Sequence, residues 1–166
     1  EIIMGGKALG GRKITIEEAF KLAEQIILEN NLGCKVNKIN LCGSARRGKK
    51  HCGDLDFVFI DRNGATKQWL SETFGYKKNG KPQTTGLVDG VQVEFYEATP
   101  ETWGSSILMW TGSAWSNIRL RKKAVKRGWK LSQHGLFEGD VNLAANKTEE
   151  EIFELLEATY VEPTKR

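Results

Sequence analysis

The sequence is short of the residues that build zinc sites and disulfide scaffolds. It has two histidines and three cysteines in 166 residues. Cys34, Cys42 and Cys52 form no Cys-x-x-Cys pair, and His51 and His134 form no His-x-x-x-His pair, so zinc is not indicated. The odd cysteine count, with no signal-peptide plan at the start, argues against a disulfide framework and for a reducing compartment. Cys42 reads as a small packed hydrophobe. No apolar run approaches a membrane span, so no membrane partner is expected. Position 1 is Glu rather than Met, so the chain reads as trimmed or as starting near Met4. Repeats and low-complexity tracts are missing too.

What remains is an ordinary globular composition, 39% hydrophobic and 28% charged. The length allows one compact unit or two small subdomains sharing a cleft. Net charge is +4, a weak signal, but its distribution is uneven. Arg119, Arg121, Lys122, Lys123, Lys126, Arg127 and Lys130 fall within twelve residues that contain no acid, and residues 149–157 hold five glutamates and no base. Such a basic stretch is most often a solvated helix face. It can also meet a phosphate backbone.

Residues 1–12 are Gly-rich and expected to be loosely held. Thr15 and Glu18 form a capping box that opens a helix to about Asn30, with Phe20, Ala23, Ile26 and Ile27 as its apolar side and Gly33 as its stop. A strand is expected over Val36–Cys42, a loop over Gly43–Gly53, a strand over Leu55–Ile60 and a short helix over Thr66–Phe74. A polar loop over 75–82 leads to a hairpin through Asp89-Gly90, the strongest short-range hairpin signal. Alternation in its second strand sets Val91, Val93 and Phe95 on one side and Gln92, Glu94 and Tyr96 on the other. Thr99-Pro100 marks a boundary. Trp103–Trp110 is an apolar approach to Thr111-Gly112-Ser113. A helix over Ala114–Arg127, stopped by Gly128, carries Asn117 and Arg121 on one face. Short strands over 129–146, a Thr148-capped helix over Glu149–Glu157 and a tail to Pro163 complete the chain.

The densest chemistry lies in residues 42–56. Asp54 and Asp56 open an apolar strand and point the same way, so together they can share divalent cations. Just upstream, Gly43, Ser44, Arg46 and Arg47 supply backbone N–H groups, a hydroxyl and two guanidiniums, a composition suited to a triphosphate. Asp-x-Asp alone is usually a solvated strand end. Gly-Ser-x-Arg-Arg-Gly followed by Gly-Asp-x-Asp is far more specific, and it is the layout of two-metal nucleotidyl transfer.

This stretch, with Trp110-Thr111-Gly112-Ser113 and the segment from Glu151-Ile152-Phe153 to Tyr160-Val161-Glu162-Pro163, resembles the family X DNA polymerases of the nucleotidyltransferase superfamily. The likeness runs from about Arg12 to the end. It implies an α+β fold, a palm with a mixed β-sheet flanked by helices over residues 1–100, plus a small C-terminal α/β subdomain over 101–166 that closes on the nucleotide. It implies Asp54, Asp56 and Glu94 as catalytic metal ligands for two Mg²⁺ ions, with Mn²⁺ as a substitute. Lys13, Gly43, Ser44, Arg47 and Gly53 match triphosphate contacts. Trp110, Gly112 and Ser113 match the segment beside the incoming sugar, and Asn117 the reader of the base edge. Arg121 matches a contact to the templating position, and Lys122, Lys123, Lys126 and Arg127 would meet DNA. Arg46 is placed for a structural ion pair instead.

The implied activity is template-directed addition of a nucleotide from a dNTP to a primer 3′-hydroxyl on primer-template or gapped DNA, in gap-filling repair. A monomer in an intracellular or virus-associated setting is expected. The alternatives are a terminal or RNA-tailing nucleotidyltransferase and a catalytically weak nucleic-acid-binding module. The short Asp89-Gly90 hairpin speaks against the terminal transferases, which carry a long loop there. Two departures stand out. Glu94 sits where the family usually has Asp, and its extra methylene predicts a looser ligand. Met109-Trp110 replaces Tyr-Phe, and with His134-Gly135-Leu136-Phe137 this is similar to the polymerase μ and terminal transferase branch. At this length no added lyase domain is expected, and the chain resembles the minimal viral members that keep only palm and closing subdomain.

Overall fold

A computed structural model describes residues 9–33, 36–75 and 83–166. The start of the Gly-rich N-terminus, Cys34 and the polar loop over 76–82 lie outside the described residues.

The chain runs β1 (Ile14–Thr15), α1 (Ile16–Glu29), β2 (Lys38–Leu41), α2 (Gly43–Arg46), β3 (His51–Cys52), β4 (Asp54–Ile60), α3 (Ala65–Phe74), β5 (Gln83–Val88), β6 (Val91–Glu97) and α4 (Trp103–Thr111). It continues through α5 (Ala114–Lys126), β7 (Lys130–Ser132), β8 (Gly135–Glu138), β9 (Val141–Asn142) and α6 (Glu149–Leu155), and ends in a 3₁₀ turn over Pro163–Lys165. Among the described residues, no helix is long and apolar enough to cross a membrane.

The central sheet has the order β2-β4-β6-β5. Its β4–β6 pair is parallel and the others are antiparallel. A parallel pair needs a crossover between its strands, and α3 and β5 supply it. Asp89 and Gly90 both take positive φ, 50° and 76°, as a tight two-residue hairpin demands.

Alternation divides the sheet's side chains. Leu55, Phe57, Val93 and Phe95 face one layer of helices, α1 and α3, and join a core with Leu22, Ile26 and Leu70. Phe57 and Phe95 stack across the parallel pair with centroids 4.9 Å apart. Each such fully buried side chain contributes roughly 1.5–3 kcal/mol. On the other face, Val58, Ile60 and Tyr96 pack on Ile107 of α4. The opposite side of α4 enters another core, where Leu108 meets Leu120, Leu136, Ile152 and Leu156.

The capping box at Thr15 and Glu18 is formed, and Thr148 makes a second one with Glu151. Each cap is worth about 1 kcal/mol. Several expectations need correction. The buried stripe of α1 is Ala19, Leu22, Ala23 and Ile26, a regular i, i+3, i+4, i+7 face. Phe20 lies beside it and is 52% exposed. The first strand of the central sheet starts at Lys38, not Val36. Residues 43–53 are not a plain loop. They make the turn of helix α2, then β3, which pairs with β1. The apolar run 103–110 is helical. The packed chain continues past Pro163 to Arg166, whose side chain is fully buried.

Candidate active site

The parallel register of β4 and β6 sets Asp54 opposite Gln92 and Asp56 opposite Glu94. Alternation then carries Asp54, Asp56 and Glu94 to one face. Their ligand oxygens lie within 4.8 Å of one another. Glu94 is buried, and Asp54 and Asp56 are half-buried. Burial and the neighbouring carboxylates raise Asp54 above the ordinary aspartate range and raise Asp56 well above it, while Arg47 partly opposes both. Hard carboxylate oxygens this close together fit Mg²⁺ or Mn²⁺.

Gly43 is required here on two counts. Its φ is 60°, and a Cβ would overlap the Asp56 carboxylate. The chain can therefore turn into α2 directly against the acid cluster, and the Cys42 amide donates to the Asp56 carbonyl at 2.6 Å. The first amides of such a turn lack intrahelical acceptors, and Ser44 lies half-buried among them. Burial raises the Cys42 thiol to about 12, so it stays protonated. Gly53 is exposed with open space around it. The β1–β3 pairing of Ile14 with Cys52 leads the exposed Lys13 toward Gly53.

The two arginines do different things. Arg46 donates to Glu149 through both terminal nitrogens and to Thr111 Oγ1 at 2.7 Å. Arg47 Nη1 donates to the Thr111 carbonyl at 2.6 Å and lies against Gly112. Its Nε is buried and has no partner among the described residues.

Beyond Thr111, Trp110 stacks on Tyr96 with centroids 3.7 Å apart. Ser113 caps α5 by accepting from the Ser116 amide. Asn117 Nδ2 donates to the Met109 carbonyl at 2.9 Å, and Arg121 reaches Met109 Sδ at 4.0 Å. Asn117 Oδ1 and Arg121 Nε are buried without partners among the described residues. Both side chains line a cleft of about 150 Å³ with Met109, Trp110, Ala114 and Ile118.

The basic stretch is split. Arg119, Lys122 and Lys126 are exposed on α5. Arg127 pairs with Glu157 at 2.7 Å, and Lys123 donates to the Glu157 carbonyl at 3.4 Å.

Two further residues belong to the acid cluster, and the sequence pattern gave neither a role. Gln92 Nε2 donates to Glu94 Oε1 at 2.9 Å, and the Tyr96 hydroxyl donates to Glu94 Oε2. Burial and the nearby carboxylates hold the Tyr96 phenol above its ordinary range, so it remains a donor. Their alternation with Glu94 was the available signal. Thr111, Glu149 and Arg166 gave no local signal, because their partners are remote in sequence.

Residues 13–104 match the DNA polymerase beta palm and residues 106–166 the DNA polymerase beta thumb. The chain is 25% identical to DNA polymerase lambda of Arabidopsis thaliana, over 91% of this chain and 35% of that protein. It is 27% identical to Repair DNA polymerase X of African swine fever virus (isolate Tick/South Africa/Pretoriuskop Pr4/1996), over 75% of this chain and 78% of that one. The fold matches Leishmania infantum polymerase beta, in a ternary P/T complex, with a TM-score of 0.76 at 19% identity, covering 93% of this chain and 77% of that one. The chain spans about a third of the length of the first curated relatives it matches. The palm match alone covers more than half of the chain and the thumb match follows it in order; the chain belongs to the DNA polymerase β family, family X.

Proposed function

We propose that this chain carries the catalytic part of a template-directed DNA polymerase that fills short gaps in DNA repair. The observation that carries the reading is the convergence of Asp54, Asp56 and Glu94 within 4.8 Å, directly against the Gly43-Ser44 turn. The division into a palm over 1–100 and a closing subdomain over 101–166 is part of the reading. It is supported by separate cores that meet on the two sides of α4.

Asp54, Asp56 and Glu94 hold the divalent cations, two Mg²⁺ ions in this reading. Bound there, such ions supply Lewis-acid charge that activates a hydroxyl and neutralises a triphosphate. The chain's own groups bind and orient. Ser44, the amides of the α2 turn, Gly53 and Lys13 form a phosphate cradle. Arg47 joins it by exchanging the Thr111 carbonyl for a phosphate oxygen. Trp110, Gly112 and Ser113 flank the sugar. Asn117 Oδ1 and Arg121 Nε, without partners among the described residues, keep hydrogen-bonding capacity for base edges in their cleft. Arg119, Lys122 and Lys126 meet the DNA backbone.

The test is extension of a labelled primer across a one-nucleotide gap, with the four dNTPs supplied singly. Addition that follows the templating base supports the proposal. Equal addition of all four, or efficient extension of single-stranded primer, points to a terminal transferase. No addition by the parent chain leaves a binding module.

A further inference from the structure

Glutamate in place of aspartate adds a rotatable bond to a metal ligand, so a free Glu94 would sample several positions. In this structure it is not free. Each of its two oxygens accepts a hydrogen bond from a residue on the same face of β6, Gln92 on one side and Tyr96 on the other.

Both donors are themselves held. The Gln92 carbonyl oxygen accepts from the Leu9 amide at 2.8 Å, which turns its NH₂ group toward Glu94. Tyr96 is 3% exposed, and its ring lies on the Trp110 indole at an interplanar angle of 13°. The phenol can therefore present its hydroxyl in only one direction. A carboxylate offers about four lone-pair sites, so one donor on each oxygen leaves room for a cation.

We propose that Gln92 and Tyr96 are positioning residues that fix the Glu94 carboxylate as third ligand of a divalent cation, offsetting the freedom of the longer side chain. The proposal rests on the reading of Asp54, Asp56 and Glu94 as a cation site. Its physical content is pre-organisation. The rotamer is chosen before the ion arrives, so ordering the side chain does not weaken binding. Loss of such an outer partner typically lowers metal affinity about 10- to 100-fold.

Tyr96→Phe keeps the ring on Trp110 and removes only the hydroxyl. Mn²⁺ binding to the full chain is measured by the paramagnetic resonance signal of the free ion, which needs no catalysis. The parent is expected to bind Mn²⁺, and Asp56→Asn to lose it. Tyr96→Phe should bind about tenfold more weakly, with an unchanged melting temperature. In primer extension the same variant should lower kcat and leave the KM for nucleotide unchanged.

A coupling measurement separates positioning from general damage. In a Glu94→Asp background the carboxylate sits one methylene further from the phenol. There Tyr96→Phe should add no further loss of Mn²⁺ affinity. If Tyr96→Phe melts early, Gln92→Met carries the same measurement from the other oxygen. A folded Tyr96→Phe that binds Mn²⁺ as tightly as the parent overturns the inference and leaves the cation site standing. A parent that binds no Mn²⁺, or an Asp56→Asn that binds as well as the parent, overturns the cation site and the inference with it.

Discussion

Arg46 and Glu149, 103 residues apart in sequence, form a two-pronged ion pair at 2.9 and 2.7 Å. Arg166 donates to the same carboxylate at 2.9 Å from the last position of the chain. Arg46 also holds Thr111, next to Gly112 and Ser113. The Gly-Ser turn beside the acid cluster, the end of α4, the start of α6 and the C-terminus are thus tied at one carboxylate.

Removing that carboxylate should be costly, because it strands two guanidiniums, one fully buried and one 23% exposed. Glu149→Ala should lower the unfolding free energy by about 3 kcal/mol, measured by urea denaturation. A loss under about 0.5 kcal/mol, the scale of an ordinary surface change, would show that the tie is not structural.

The same pair sets an acid limit. Burial alone would raise Glu149, but hydrogen bonds from Arg46 and Arg166 outweigh it and hold the group below its ordinary value of 4.5. A lowered carboxylate contributes stability that is complete above 4.5 and lost as pH falls through the folded value. Denaturation midpoints should therefore decline below about pH 4.5. Glu149→Gln should be less stable at neutral pH and show a shallower decline; an equally steep decline in that variant would assign the acid limit elsewhere.

Asp54 and Asp56 have the opposite sign. Burial and mutual repulsion raise Asp56 well above its ordinary range, so its ionisation opposes folding. In the absence of divalent ions, Asp56→Asn should stabilise the chain by about 1 kcal/mol while abolishing nucleotide addition. Mg²⁺ at a hundred times its dissociation constant should stabilise the parent by about 2.7 kcal/mol and leave Asp56→Asn nearly unchanged. Thermal melts with and without EDTA decide it, and equal responses from both proteins would reject the assignment.

Placement divides the basic residues of α5. Lys122 and Lys126 are exposed, whereas Arg127 is bound to Glu157. Lys122→Ala with Lys126→Ala should weaken DNA binding across all sequences and reduce the salt slope by about 0.9 for each phosphate no longer neutralised. Arg127→Ala should change that slope little. The measurement is DNA affinity titrated over a range of salt. An unchanged slope for the double variant would make this face merely solvated.

Local pattern determined a good deal. Polar–apolar alternation put Asp54 and Asp56 on one face and grouped Gln92, Glu94 and Tyr96. The Asp89-Gly90 pair set the hairpin, and Thr15 and Thr148 marked helix starts, since capping and tight turns depend on residues within a few positions of each other. The phase of α1 was less legible: Phe20 is apolar but lies off the buried stripe, because a helix face is chosen by what packs on it. Tertiary structure decided the rest. The parallel register of β4 with β6 brings Glu94 beside Asp56 across an intervening helix and strand, and no local signal sets such a register. It also decided that Tyr96 meets Trp110, that Arg46 closes on Glu149 and Arg166, and that Glu157 takes up Arg127. Each pairing joins residues far apart in sequence, so their chemistry could be read from the chain but their partners only from the packed cores that bring them together.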